Sequence, residues 1–215
     1  TESVILDTVE ASGFETGILI SDFYEGNIAG ITLSSVTTPN YHESGLSVTE
    51  SNGGINSDAV TGSNNDFTGS TSTPSIQTND AEAIAFTGPI QVEDGDSINT
   101  AVDVADASAK IQVDDGTYSG FDVTESVTVT AASGANPVIE DSDAGQGIIT
   151  VQEGSGNGIT ISDLTIRDSD TNSVDDTGVF IEPSSSQTII VESNKIENIK
   201  TGIQTATGGT GTAKV

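Results

Sequence analysis

The residues best suited to chemistry stand together in one stretch. Arg167, in Ile166-Arg-Asp-Ser-Asp170, is the only arginine of the chain, and Asp168, Asp170, Asp175 and Asp176 lie within a few residues of it. Carboxylate oxygens at this density are hard ligands of the kind calcium takes. These four aspartates are the candidate metal ligands. The same charges also fit a solvated turn that shares in the acidity of the whole chain. Three smaller clusters, Glu93-Asp-Gly-Asp96, Asp114-Asp-Gly116 and Asp141-Ser-Asp143, lack the fixed spacing of a twelve-residue EF-hand loop. The single histidine, His42 in Asn40-Tyr-His-Glu43, has no Gly-x-Ser-x-Gly nucleophile motif to accompany it. No catalytic residue is assigned.

These side chains sit in an unusually acidic chain. It has 33 acidic and 5 basic residues in 215, a formal net charge of -28. Such a chain repels itself in dilute buffer. The Debye length falls from about 10 Å near 0.1 M salt to roughly 3 Å in molar salt. The charges are scattered among apolar residues instead of running together, which argues for a folded protein adapted to brine over a disordered acidic tail. A haloarchaeon, or a virus of one, is the expected source. No basic patch exists to meet phosphates, so nucleic acid is not an expected partner. There is no cysteine, and no apolar run reaches the length of a membrane span. The chain begins at Thr1 and has no methionine, which suggests export with cleavage, or a piece of a longer protein.

The elements that must carry these residues are mostly short strands. The 13 residues from Ser97 to Ala109 are the exception: Ile98, Ala101, Val102 and Ala105 follow the spacing of one helix face. Ser97 or Asp96 stands at the N-cap. After it the period becomes two, with Ile111 and Val113, Phe121 and Val123, Val127 and Val129 on one side. Tyr118, in Gly116-Thr-Tyr118, is expected to pack over the helix or the first turn of strands. Further runs of three to five β-favouring residues continue to Gly202-Ile203, separated by Gly, Asn, Asp and Ser.

Helix, strand and Gly-Thr-Tyr in this order resemble the opening of a right-handed parallel β-helix of the pectate-lyase-like superfamily. The resemblance covers residues 85–205, and 4–48 more weakly. It implies an all-β solenoid with a short amphipathic capping helix near 97–109. It also implies what an enzyme of this kind would need. The lyases join a calcium-holding carboxylate cluster to an arginine that removes a proton, for which Arg167 and its aspartates are the only match. The hydrolases use paired acids, for which Asp175-Asp176 would serve, but their Gly-His-Gly and Arg-x-Lys motifs are missing here.

Internal spacing supports the solenoid. Ile161-Ser-Asp-Leu-Thr-Ile166 overlays Val191-Glu-Ser-Asn-Lys-Ile196 at an offset of 30, and Gly178-Val overlays Gly202-Ile at 24. Val9 to Val36 is 27 residues, and Gly17-Ile to Gly45-Leu is 28. Repeats of this size fit one circuit of three strands. Asn194 falls at a bend, where its amide would satisfy backbone groups of the turn. The organisation expected is β-helix-like rungs over 1–48, a polar Ser/Thr/Asn/Gly-rich linker or long loop over 49–80, and a capped parallel β-helix over 81–215. Phe14, Phe23, Tyr24 and Tyr41 in the first rungs are read as core, with a docking surface as the alternative. With no cap evident at the C-terminus, the chain is either a fragment or a unit that meets other copies end to end. The expected role is structural or adhesive: an extracellular surface filament, cell envelope protein, or virion fibre or spike. Divalent cations would bridge its copies, and surface glycans or other envelope proteins are candidate partners. An acidic-polysaccharide lyase or hydrolase, or a carbohydrate-binding module, is the alternative.

Overall fold

A computed structural model describes residues 3–21, 28, 30–41, 43–50, 55–67, 75–141, 146–152, 157–169, 177–182 and 187–206, with the backbone of 212–214. Eight strands come first: β1 (Val4–Asp7), β2 (Thr16–Ser21), β3 (Ile31–Ser34), β4 (Ser44–Thr49), β5 (Val60–Ser63), β6 (Ile76–Thr78), β7 (Ile84–Phe86) and β8 (Ile90–Val92). Helix α1 (Ile98–Asp103) follows. Next come β9 (Lys110–Val113), β10 (Thr117–Ser119), β11 (Phe121–Val123), β12 (Thr128–Ala131), β13 (Val138–Asp141), β14 (Ile149–Val151) and β15 (Ile159–Ser162). The last are β16 (Thr165–Asp168), β17 (Thr177–Ile181), β18 (Thr188–Glu192), β19 (Lys195–Glu197), β20 (Thr201–Thr205) and β21 (Thr212–Lys214).

Each strand pairs in parallel with the strand one turn earlier or later, so the chain winds into a β-solenoid of about six turns. Before the helix, β1-β3-β5-β7 and β2-β4-β6 form two sheets. The strands after it, joined by β8 from just before it, form three more: β8-β9-β12-β15-β18-β21, β10-β13-β16-β19 and β11-β14-β17-β20. The offsets read from the sequence are the observed registers: Ile161 faces Val191, Ile166 faces Ile196, Val179 faces Ile203, and Ile18 faces Leu46.

Alternation puts every second residue inside, and parallel pairing stacks those residues into columns. Ile111, Val129, Ile161 and Val191 make one column, and Phe121, Ile149, Val179 and Ile203 another. Nearly all of these side chains are buried. β-Branched residues suit such a pleated, filled interior, and each fully buried aliphatic side chain contributes about 1.5–3 kcal/mol relative to exposure.

Two features differ from the sequence expectation. The segment 49–80, expected as a linker or long loop, contributes β5 and β6 to the coil. Val60 pairs with both Ile31 and Ile84 and is fully buried, and Leu46 pairs with Ile76. A strand reading Val-Thr-Gly-Ser has one strong apolar residue, and neighbours above and below supply the rest of its stabilisation. The helix also differs. It ends at Asp103 instead of reaching Ala109, because the backbone of Val104 to Asp106 bonds to Phe86 on the preceding turn. Its place is within the coil: it packs against β6 on one side and β11 on the other, and against β8 and β9. Its buried face, Ile98, Ala101 and Val102, does what an inward strand face would do at that level. The Ser97 hydroxyl caps it, accepting from Thr100 N–H at 3.3 Å.

Candidate functional site

Arg167 lies on the outward face of β16, aligned with Glu140 of the turn before and Glu197 of the turn after. Its guanidinium is hydrogen-bonded and ion-paired to Glu140. Lys195 pairs with Glu197 at 2.7 Å. The outer face of this sheet is therefore a short ladder of alternating charge. Half-exposed pairs of this kind contribute about 0–1 kcal/mol each. Arg167 is held to a carboxylate of the neighbouring turn.

Asp168 faces the other way. It lies two residues beyond buried Ile166, on the same side, and is 6% exposed. Its register partner one turn earlier is Asp141. Adjacent parallel strands lie about 4.8 Å apart, so the two aspartates are stacked at the corner where β13 and β16 end. Asp170, Asp175, Asp176 and His42 lie outside the described residues. Among the described residues, no group of three or more His, Cys, Asp or Glu could hold a metal ion.

A second set of polar groups was not singled out from the sequence. Over the sheet of β11, β14 and β17 runs a groove of about 460 Å³, lined by Asn99, Asp122, Asp141, Thr150, Gln152 and Glu182 among others. Helix α1 brings Asn99, whose Oδ1 accepts from Asp122 N–H at 2.8 Å. Gln152 Nε2 donates to Asp122 Oδ2 at 2.9 Å. Among the described residues, no lysine or arginine lines the groove. The sequence signal was only the outward position of Asp122 in β11. The meeting of residues from α1, β11, β13 and β14 depends on how the turns stack.

A separate hollow of about 280 Å³ gathers Asp58, Glu82, Asp103, Asp106 and Glu125, again with no basic lining residue among the described residues. Desolvation, and then the charge of Asp122, hold the Asp103 carboxyl above its ordinary value. The Asp114 carboxyl is also raised, first by desolvation and then by Asp115 and Asp66.

Two expected positions are structural supports. Tyr118 is buried, and its hydroxyl is shared between the carbonyls of Asp114 at 3.0 Å and Val92 at 3.3 Å. Burial, then the neighbouring Asp114, Asp94, Asp96 and Glu93, raise its phenol far above the ordinary tyrosine value. It stays protonated and acts as a post between two turns. Asp96, expected at the mouth of the helix, binds across to β6. Its Oδ1 accepts from Ser75 N–H at 2.7 Å, and its Oδ2 from Ser75 Oγ at 2.7 Å and Glu93 N–H at 3.0 Å. The Tyr41 hydroxyl donates to Ser75 Oγ at 3.1 Å. Nothing in the sequence links Asp96 to Ser75, because the contact is made only when β6 packs against α1.

No protein-family model, curated protein or solved structure matches this chain. Its polar groups are read from their geometry alone. Among the described residues, Arg167, Asp96, Tyr118 and the corner asparagines are engaged with neighbouring turns, and so are Asn99, Asp122 and Gln152 in the groove beside β11. No helix among the described residues is long and apolar enough to cross a membrane.

Proposed function

We propose that this chain is the rigid rod of an extracellular structural or adhesive protein from a hypersaline setting: a surface filament, cell envelope component, or virion fibre or spike. The observation that carries the reading is the destination of its polar side chains. Arg167, Asp96, Asn65 and Asn194 each tie one turn to another, which stiffens a solenoid that offers long lateral faces for contact. Descent within the pectate-lyase-like superfamily, a right-handed coil, and a source in a haloarchaeon or its virus belong to the same proposal. The excess of 33 acidic over 5 basic residues supports the saline setting, as do two carboxylate-lined hollows without basic side chains. High salt would screen that repulsion.

Divalent cations, calcium first, would bridge carboxylates within or between copies, with Asp168, Asp170, Asp175 and Asp176 as ligands. End-to-end addition of copies belongs to the same proposal. Electron microscopy and sedimentation in molar salt, with and without calcium, test this. Filaments that form with calcium and dissolve with chelator are expected. Discrete monomers under every condition would remove end-to-end assembly.

A second reading, a carbohydrate-binding module or a polysaccharide lyase or hydrolase, is favoured by the groove over β11, β14 and β17. For an acidic polysaccharide it has less support. Arg167 is engaged with Glu140, and the groove itself carries Asp122, Asp141 and Glu182.

A further inference from the structure

The lateral groove is preorganised. Asp122 is fixed from below by Asn99, through its own backbone N–H, and from the next turn by Gln152, through its carboxylate. Two glycines let the turns that carry the groove approach closely. A Cβ on Gly120 would fall 2.5 Å from the Ile148 carbonyl oxygen and 2.9 Å from Asp141 Oδ2. The backbone carbonyl cannot give way, so Gly120 is required for the close approach of these two turns. A Cβ on Gly147 would fall 2.7 Å from Phe180 Cβ. Phe180 stands on the outward face of β17 in one column with Asp122, Thr150 and Gln204, and is partly exposed. Phe180 therefore borders the groove next to Thr150 and Gly147, just outside its lining residues.

We propose that this groove binds an uncharged, hydroxyl-rich saccharide. The volume is within the range of about 300–1,000 Å³ common to ligand pockets. Sugar hydroxyls donate well to fixed carboxylates, and such charge-assisted bonds are among the stronger ones. The amides of Gln152 and Gln146 offer both donors and acceptors, and the apolar face of a sugar ring packs against an aromatic ring. An acidic sugar would meet three carboxylates and no cation. A metal ion would need a closer set of acids than the described residues provide. An organic cation would lose most of its attraction in molar salt, where the Debye length is roughly 3 Å, while hydrogen bonds and ring packing persist.

The inference refines the carbohydrate-binding reading above and does not require the rod to assemble. The test is calorimetry and saturation-transfer NMR on dispersed protein in molar NaCl. The probes are the uncharged hexasaccharides of glucose (α- and β-linked), mannose and N-acetylglucosamine, beside hexagalacturonate, spermidine and calcium chloride. At least one uncharged hexasaccharide is expected to bind saturably. Asp122→Ala and Gln152→Ala should each weaken it about tenfold, which is about 1.4 kcal/mol. Gln152→Ala changes only an outward side chain and serves if Asp122→Ala unfolds, and circular dichroism confirms the fold of each. The proposal is overturned if no uncharged hexasaccharide binds, if binding survives both substitutions in folded protein, or if hexagalacturonate, spermidine or calcium competes for the groove. Monomers that bind sugar would remove the assembly reading alone, and filaments that bind none would remove this one alone.

Discussion

Asn65 and Asn194 stand in opposite halves of the chain and make the same two hydrogen bonds to the turn before. Asn65 Oδ1 accepts from Val36 N–H at 3.0 Å, and its Nδ2 donates to the Leu33 carbonyl at 2.9 Å. Asn194 Oδ1 accepts from Leu164 N–H at 3.0 Å, and its Nδ2 donates to the Ile161 carbonyl at 2.8 Å. The residue before each asparagine has a left-handed backbone, Asn64 at φ 54° and Ser193 at φ 58°, as do Ser35 and Asp163 directly beneath them. Short polar residues tolerate that conformation best. One corner design therefore recurs on both sides of α1. It accounts for strands in a segment whose composition reads as linker.

Replacing either asparagine with alanine removes both bonds and leaves a backbone N–H and a carbonyl without that partner. Asn65→Ala and Asn194→Ala should each cost about 1–3 kcal/mol. Denaturant unfolding in molar salt measures it. A loss well under 0.5 kcal/mol for both would mean that water replaces the amide at these corners.

Asp96 should matter more than the helix cap beside it. Asp96→Ala removes three hydrogen bonds to a charged acceptor and should cost about 2–3 kcal/mol, whereas Ser97→Ala removes a cap worth about 1 kcal/mol. Hydrogen exchange should quicken at Ser75 and in β6 for the Asp96 variant only. Equal effects of the two substitutions would show that the contact to Ser75 does not hold β6.

The raised Asp103 carboxyl has a definite pH signature. Its folded value lies above the ordinary aspartate value, so the folded state holds this proton more tightly. The resulting stability is fully present below that value and is lost as pH rises through the folded one. Asp103→Asn should accordingly stabilise the protein at neutral pH, and the gain should vanish below about pH 3.8. Asp103 is exposed to solvent and screened, so the gain should stay near the 0.5 kcal/mol scale of surface substitutions. Thermal unfolding of both proteins across pH 3–8 tests it. A gain that grows toward acid would reverse the sign and refute the assignment.

Local pattern was enough for the repeat and for much of the coil. Ile161 to Ile166 against Val191 to Ile196 was legible at an offset of 30 because inward residues must be apolar at every turn, and parallel register copies that demand upward. The bend role of Asn194 was legible for the same reason. Helix α1 was legible as a helix, since Ile98, Ala101 and Val102 follow its period, but its length and level were not. Phe86 decides where it stops, and β6 and β11 decide where it lies.

The site was much less legible. Arg167 with its aspartates stood out by proximity along the chain, yet stacking sends Arg167 outward to Glu140 and Asp168 inward beside Asp141. Neighbours in sequence alternate across a strand, so closeness along the chain separates their side chains. Conversely Asn99, Asp122 and Gln152 are distant in sequence and meet on one face. By itself the sequence determined a strongly acidic, nearly all-β chain with a period near thirty, because charge and alternation are local properties. Which polar groups share a surface was decided only by tertiary stacking, where the length of each turn sets what lies above what.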